Sequence, residues 1–157
     1  MRTPYFWRIH DLKASMVSQP LSEREVLPYL LLTLGLYAAI ASLPTQAFNL
    51  WDYLGAAWTV AITVLGIVYV YHRNGGSKGR DFLQRLFAIG WVVTIRWVVF
   101  LSLALLLFYI SIEFWSVFEI EDETQWHDFA IIALAEIGLY WRMGFHVRDL
   151  AVASGDS

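Results

Sequence analysis

Four long apolar runs separated by short polar stretches dominate this chain. They occupy residues 26–43, 51–71, 86–112 and 126–147. Each is close to or above the roughly 20 residues that an α-helix needs to cross about 30 Å of hydrocarbon. Helix is the expected state for all of them. Too few segments are present to close a barrel, and an open sheet would leave backbone groups unsatisfied in lipid. The third run is long enough to tilt or to extend past one face of a bilayer.

The polar positions mark where these helices begin and end. Ser22 and Glu25 have the spacing of a capping box, flanked by Leu21 and Val26 as a hydrophobic staple. Pro28 falls in the second turn, where it bends a helix, and Pro44 ends the run. The first run also starts too late, and is too long, for a signal peptide, whose core is about 7–15 residues behind a short basic start. It is therefore expected to be retained as a span.

Ahead of it, Tyr5, Phe6, Ile9, Leu12 and Met16 recur at helical spacing, with Arg8, Asp11 and Ser15 off the stripe. This predicts an amphipathic helix over about residues 4–17 lying on the inner membrane surface. A cap packed under the bundle, or a docking surface for another protein, would produce the same stripe. The expected fold is thus an all-α integral membrane protein. It is a single membrane domain over residues 1–157, a four-transmembrane-helix bundle with an amino-terminal amphipathic interfacial helix and a cytoplasmic tail over 148–157.

Small residues suggest how the spans meet. Gly55, Thr59, Thr63 and Gly66 lie near one face of the second, and Gly35, Ala39 and Leu43 along the first. Such faces let helix backbones approach closely, so spans one and two are expected to pack together, or to mediate dimerisation.

Composition supports burial in lipid rather than water. The chain is 58% hydrophobic, above the roughly 45–50% of soluble domains. It contains no cysteine, which excludes disulfides, thiolate metal sites and cysteine nucleophiles.

Charge orients the spans. Arg2, Arg8, Lys13 and Arg24 precede the first; Arg73, Lys78, Arg80 and Arg85 lie between the second and third; Arg142 and Arg148 end the fourth. Ten of eleven basic residues therefore fall on one side, which the positive-inside rule assigns to the cytoplasm together with both termini. The opposite side gathers Glu113, Glu119, Glu121, Asp122, Glu123 and Asp128. Trp51, Tyr53, Trp115 and Trp126 suit the outer interface, and Tyr69, Tyr71, Trp91, Tyr140 and Trp141 the inner one. A bacterial inner (cytoplasmic) membrane is the expected location.

The remaining cation, Arg96, falls inside the third run, and Glu136 falls inside the fourth. Charges within spans usually face the bundle interior and find partners. Arg96 lies 11 residues beyond Arg85, and Glu136 lies 12 before Arg148. If Arg85 and Arg148 both mark the inner interface, the two depths differ by only about 2 Å. An Arg96–Glu136 pair is expected, with Tyr140 one turn away to complete its hydrogen bonding. It serves either to hold register or as a proton relay, ion relay or anion site.

Three other constellations carry less. Arg73, Lys78 and Arg80 among the glycines of residues 72–82 are candidate contacts for an anion or lipid head group, although P-loop spacing is absent. Glu119, Glu123 and His127 are spaced to share a helix face, but an acidic solvated loop accounts for them. His72 and His146 sit at inner helix ends rather than within the bundle, so no haem, and no other cofactor or metal, is expected. No catalytic arrangement is recognisable, and no basic cluster interleaved with aromatics points to nucleic acid.

The expected function is a small membrane-embedded, non-enzymatic subunit or scaffold. It would act within the lipid bilayer through helix packing with itself, as a homo-oligomer, or with a membrane protein partner. The alternative is a small oligomeric channel, transporter or proton-coupled component using Arg96 and Glu136.

Overall fold

A computed structural model describes residues 5–41, 49–115 and 124–155. Among them are five α-helices, one 3-10 turn and no strand: α1 (Ile9–Ser18), α2 (Glu23–Ala41), α3 (Leu50–Arg73), the turn Gly76–Lys78, α4 (Phe82–Trp115) and α5 (Trp126–Ala153).

Local capping explains several of these boundaries. At the start of α2 the Glu25 carboxylate accepts from the Ser22 N–H at 3.0 Å and its hydroxyl at 2.9 Å. Pro28 lies inside the helix, as its position predicted. α3 starts with a reciprocal box that the apolar pattern alone did not reveal. Asn49 Oδ1 accepts from the N–H groups of Trp51 and Asp52 at 2.9 and 3.1 Å, and Asp52 accepts from the Asn49 N–H at 2.8 Å.

Two expected boundaries are corrected. The amino-terminal helix begins at Ile9. Before it, the chain docks on α2, with the Tyr5 N–H donating to Tyr29 Oη at 2.8 Å and the Phe6 ring packed on Tyr29. At the other end, the tail expected over 148–157 is helical as far as Ala153. Val147, Leu150 and Ala151 continue the apolar stripe of α5 at helical spacing and are buried, which is what carries the helix onward.

The closest helix contacts are α2 with α4, α4 with α5, and α5 with α3. In space the long helices thus run in the order α2–α4–α5–α3. The expected pairing of spans one and two is not the dominant one. The small face of α3 receives α5 instead, because α5 supplies rings that fill it. Tyr140 lies over Gly66, and Tyr69 of α3 lies over Gly144 of α5 in return. A Cβ built on either glycine would come within 2.3 Å of the facing ring. Above them Thr59 Oγ1 donates to Glu136 at 2.9 Å, and Trp51 and Trp58 pack on Phe129. At the top, Asn49 Nδ2 donates to the Thr124 carbonyl at 2.8 Å. The two helices therefore run parallel in close contact from their first residues to Tyr69 of α3 and Gly144 of α5.

The buried core gathers at the end of this row where α3 finishes and α4 begins. It comprises Val70, Ala88, Ile89, Val92, Val93, Met143, Val147 and Leu150 of the long helices, closed by Ile9, Leu12 and Met16 of α1. The α1 stripe, expected to face lipid, points into the protein, with Ile9 and Leu12 only 1% and 0% exposed. Burying each such side chain contributes about 1.5–3 kcal/mol. Lys13 Nζ adds an ion pair to Asp149 at 2.9 Å, partly exposed and therefore worth about 1 kcal/mol or less. α1 is a cap packed across α4 and α5.

Away from this core the helix surfaces have the opposite character. Val60, Leu65, Leu103 and Leu134 are 67%, 64%, 55% and 70% exposed. Two helices among the described residues are long and apolar enough to cross a membrane, over Leu50–Arg73 and Phe82–Phe108. α2 carries Glu23, Arg24 and Glu25 in its first turn, and α5 carries Asp128, Glu136 and Arg142.

Candidate functional site

The structure does not bring Arg96 and Glu136 together. Glu136 turns to α3, where its Oε1 accepts from Thr59 and its Oε2 is buried without a partner. Tyr140 lies on the same side, hydrogen-bonded to Thr63. Arg96 turns the other way, donating to the carbonyl of Trp7 and stacking on the Trp7 ring, 5.6 Å from its centroid.

The reason is facing and not depth. Trp97, next to Arg96 on α4, donates its indole to the Ala135 carbonyl at 2.9 Å and lies against Gly138, so Arg96 and Glu136 stand at a similar level. Glu136 shares the side of α5 that meets Thr59 of α3, whereas Arg96 reaches the segment ahead of α1 at Trp7.

The loop between α3 and α4 is built around a residue pair that charge counting did not single out. Asn74, fully buried, accepts from Arg85 Nη1 at 3.0 Å and donates to the Arg80 carbonyl at 3.1 Å. Arg85 is itself 4% exposed. Gly79 passes so close to Asn74 that a Cβ there would lie 2.0 Å from the Asn74 carbonyl oxygen. Gly75 takes a left-handed turn at φ 97°. The Asn-Gly-Gly sequence is a legible turn signal, but nothing in the spacing of Arg85 distinguishes it from a solvated inner cation. Of the expected head-group contacts, Arg73 folds back over the Tyr69 ring at 5.7 Å, while Lys78 and Arg80 are exposed. Glu119 and Glu123 lie outside the described residues, and His127 rests 3.7 Å from Asp128.

Arg96 instead contributes to a cleft of about 310 Å³ between α4 and α5. Its polar lining is Arg96, Arg142 and His146, and its aromatic walls are Trp97, Phe100 and Trp141. Ile9 of α1 closes its inner edge. Each wall has a local cause. Trp97 is held by donation from its indole to the Ala135 carbonyl at 2.9 Å and by the space left by Gly138, where a Cβ would lie 2.7 Å from the ring. Arg142 stacks on Phe145 at 5.8 Å. His146 is only 8% exposed, and its Nδ1 has no hydrogen-bond partner, as is also true of Arg96 Nε. Buried polar atoms are normally paired, and these two, on residues that line one cleft, are not. The carboxylate nearest in chain to His146 is Asp149, which is engaged by Lys13. Sequence spacing alone does not suggest this grouping, because Arg142 reads as an interfacial cation and His146 as a helix-end residue.

Comparison with protein-family models, with curated proteins and with solved structures finds no match.

Proposed function

We propose that this protein is a small polytopic component of a bacterial inner membrane. It crosses the bilayer four times with both termini in the cytoplasm, and it serves as a non-enzymatic subunit or scaffold. It assembles with itself or with another membrane protein through its helix faces. The observation that carries the reading is the open order α2–α4–α5–α3. Each flanking helix packs closely on one neighbour and keeps its other apolar side uncovered, including Leu31 and Leu34 of α2 and Val60 and Val64 of α3. A Cβ on Gly35 or Gly55 would meet nothing within 4 Å, so both small-residue positions leave space for another helix. Exposed apolar area of this extent belongs against lipid or a partner, and close helix approach in lipid depends on small residues.

Native mass spectrometry of the gently extracted full chain tests the assembly. A homo-oligomer or a retained protein partner is expected, and a partner-free monomer sinks the scaffold reading. Topology is tested separately on this cysteine-free background. Asp122→Cys should react with an impermeant thiol reagent from the periplasmic side and Lys78→Cys should not; the reverse pattern rejects the orientation.

A second reading, a channel or proton-coupled transport component, draws on one observation, the buried and unpartnered Oε2 of Glu136. It requires a polar path to Glu136. It fails if Glu136→Gln leaves ion or proton flux through reconstituted vesicles unchanged.

A further inference from the structure

We propose that the cleft between α4 and α5 binds a phosphate-bearing anion through Arg96, Arg142 and His146. Its source is the head group of an anionic phospholipid or free phosphate.

Charge selects the ligand class. Two guanidinium groups line the cleft and no carboxylate does. An anion is therefore attracted without displacing an ion pair.

Geometry selects phosphate. Each guanidinium has a ring against it, Trp7 on Arg96 and Phe145 on Arg142, and Arg96 also gives Nη2 to the Trp7 carbonyl. A guanidinium presents its N–H groups as a planar fork that matches phosphate oxygens. Arg96 Nε is a buried donor without a partner, and His146 Nδ1, protonated in one tautomer, supplies a second from α5. A tetrahedral anion with several acceptor oxygens is able to meet cationic and polar side chains from two helices at once, Arg96 of α4 and Arg142 and His146 of α5, which a single-acceptor ligand is not.

The rim fits a lipid. Trp141 and Phe100 are 62% and 61% exposed beside the cationic floor. An apolar wall next to a phosphate site suits the glycerol and first methylenes of a phospholipid. The level also fits. Ile9 closes the cleft, while its neighbours Arg8, His10 and Asp11 on the outer face of α1 are exposed. Exposed charges at that height place the cleft at the membrane–water boundary and not in hydrocarbon. The phospholipid source rests on the membrane reading above; the phosphate chemistry does not.

The test uses the full chain, delipidated in neutral detergent, with phosphatidylglycerol, diacylglycerol and inorganic phosphate as separate probes in native mass spectrometry and thermal melting. Phosphatidylglycerol is expected to bind and diacylglycerol not to. Arg96→Gln and Arg142→Gln should each weaken the interaction about ten- to a hundredfold, the range for losing one charge-assisted hydrogen bond. Lys78→Gln together with Arg80→Gln should leave it unchanged. Arg142 is exposed, so Arg142→Gln keeps the test valid if Arg96→Gln impairs folding. Protection by phosphatidylglycerol alone assigns the lipid source, and protection by inorganic phosphate that Arg142→Gln abolishes assigns the free anion. Binding of neither probe, or equal binding by wild type and Arg142→Gln, overturns the proposal. The subunit mass in the same spectra reports self-association independently of any lipid adduct, so failure of the scaffold reading is seen separately.

Discussion

Arg85→Met is expected to be the most destabilising single substitution in the half of the protein that holds the buried core, at about 3–5 kcal/mol. Among its contacts, the guanidinium donates to Asn74 Oδ1 at 3.0 Å and to Ser154 Oγ at 3.2 Å. Bonds to a charged group contribute about 1.5–3 kcal/mol each, and leaving a buried acceptor unpaired costs about 1–3 kcal/mol more. Asn74 is fully buried, so water does not replace the lost donor. The effect extends beyond one contact. Asn74 also holds the Arg80 carbonyl at 3.1 Å, and Ser154 caps the end of α5 through its bond to Leu150. The substitution therefore releases the α3–α4 turn and the last turn of α5 together. Thermal melting in detergent and protease cleavage within residues 74–81 measure both. Arg85→Lys should recover only part of the loss, because an ammonium lacks the fork that reaches two acceptors. A cycle with Asn74→Ala should show a coupling above about 0.5 kcal/mol, and additive effects would sink the account.

Gly66→Ala and Gly144→Ala are each expected to cost about 1–3 kcal/mol, as overpacked cores do. The sign is opposite to that of an ordinary helix glycine, where alanine gains up to about 1 kcal/mol. The difference is the facing ring. A methyl on Gly66 would stand 2.3 Å from Tyr140 Cγ, and one on Gly144 would stand 2.3 Å from Tyr69 Cε1. These are atoms near the base or along the edge of rigid rings, so relief requires the helices to separate or Tyr140 to leave Thr63. Gly35→Ala and Gly55→Ala serve as internal controls, since each new methyl would meet nothing within 4 Å. Both controls should be neutral or slightly stabilising in the dissociated chain. Circular dichroism melting of the four variants decides the matter. If Gly66→Ala melts with Gly55→Ala, then α3 does not pack on α5 through this face.

These two expectations show where the sequence was legible and where it was not. Helical content was readable because apolar runs of this length leave few other backbone solutions. Helix starts were readable where a side chain of the right type stood three residues from its partner, as at Ser22 and Glu25. The box at Asn49 and Asp52 has the same logic but was hidden by taking Trp51 as the first apolar residue. The small face of α3 was recognised correctly as a close-packing face, yet its partner was assigned by chain adjacency. Small residues state only that a neighbour comes close. Which neighbour comes is decided by the aromatic side chains that fill the gap, here Tyr140 and Phe129 of α5.

The candidate site follows the same division. Arg96 stood out by itself, as a lone cation within an apolar run. Its partner was inferred from depth along the helices, but depth does not say which side of α5 Glu136 occupies, and that side meets α3. Local sequence determined the helices, several of their caps, the clustering of basic residues ahead of the first apolar run and between the second and third, and the singular position of Arg96. Those follow from interactions within a few residues or from the difference between water and lipid. Tertiary structure alone decided that Arg85 is buried against Asn74 and Ser154, that α1 closes the core, and that Arg96, Arg142 and His146 share one cleft. Those depend on the relative register of helices far apart in the chain. A shift of a few residues changes which side chains meet but leaves the apolar pattern of each helix almost unaltered.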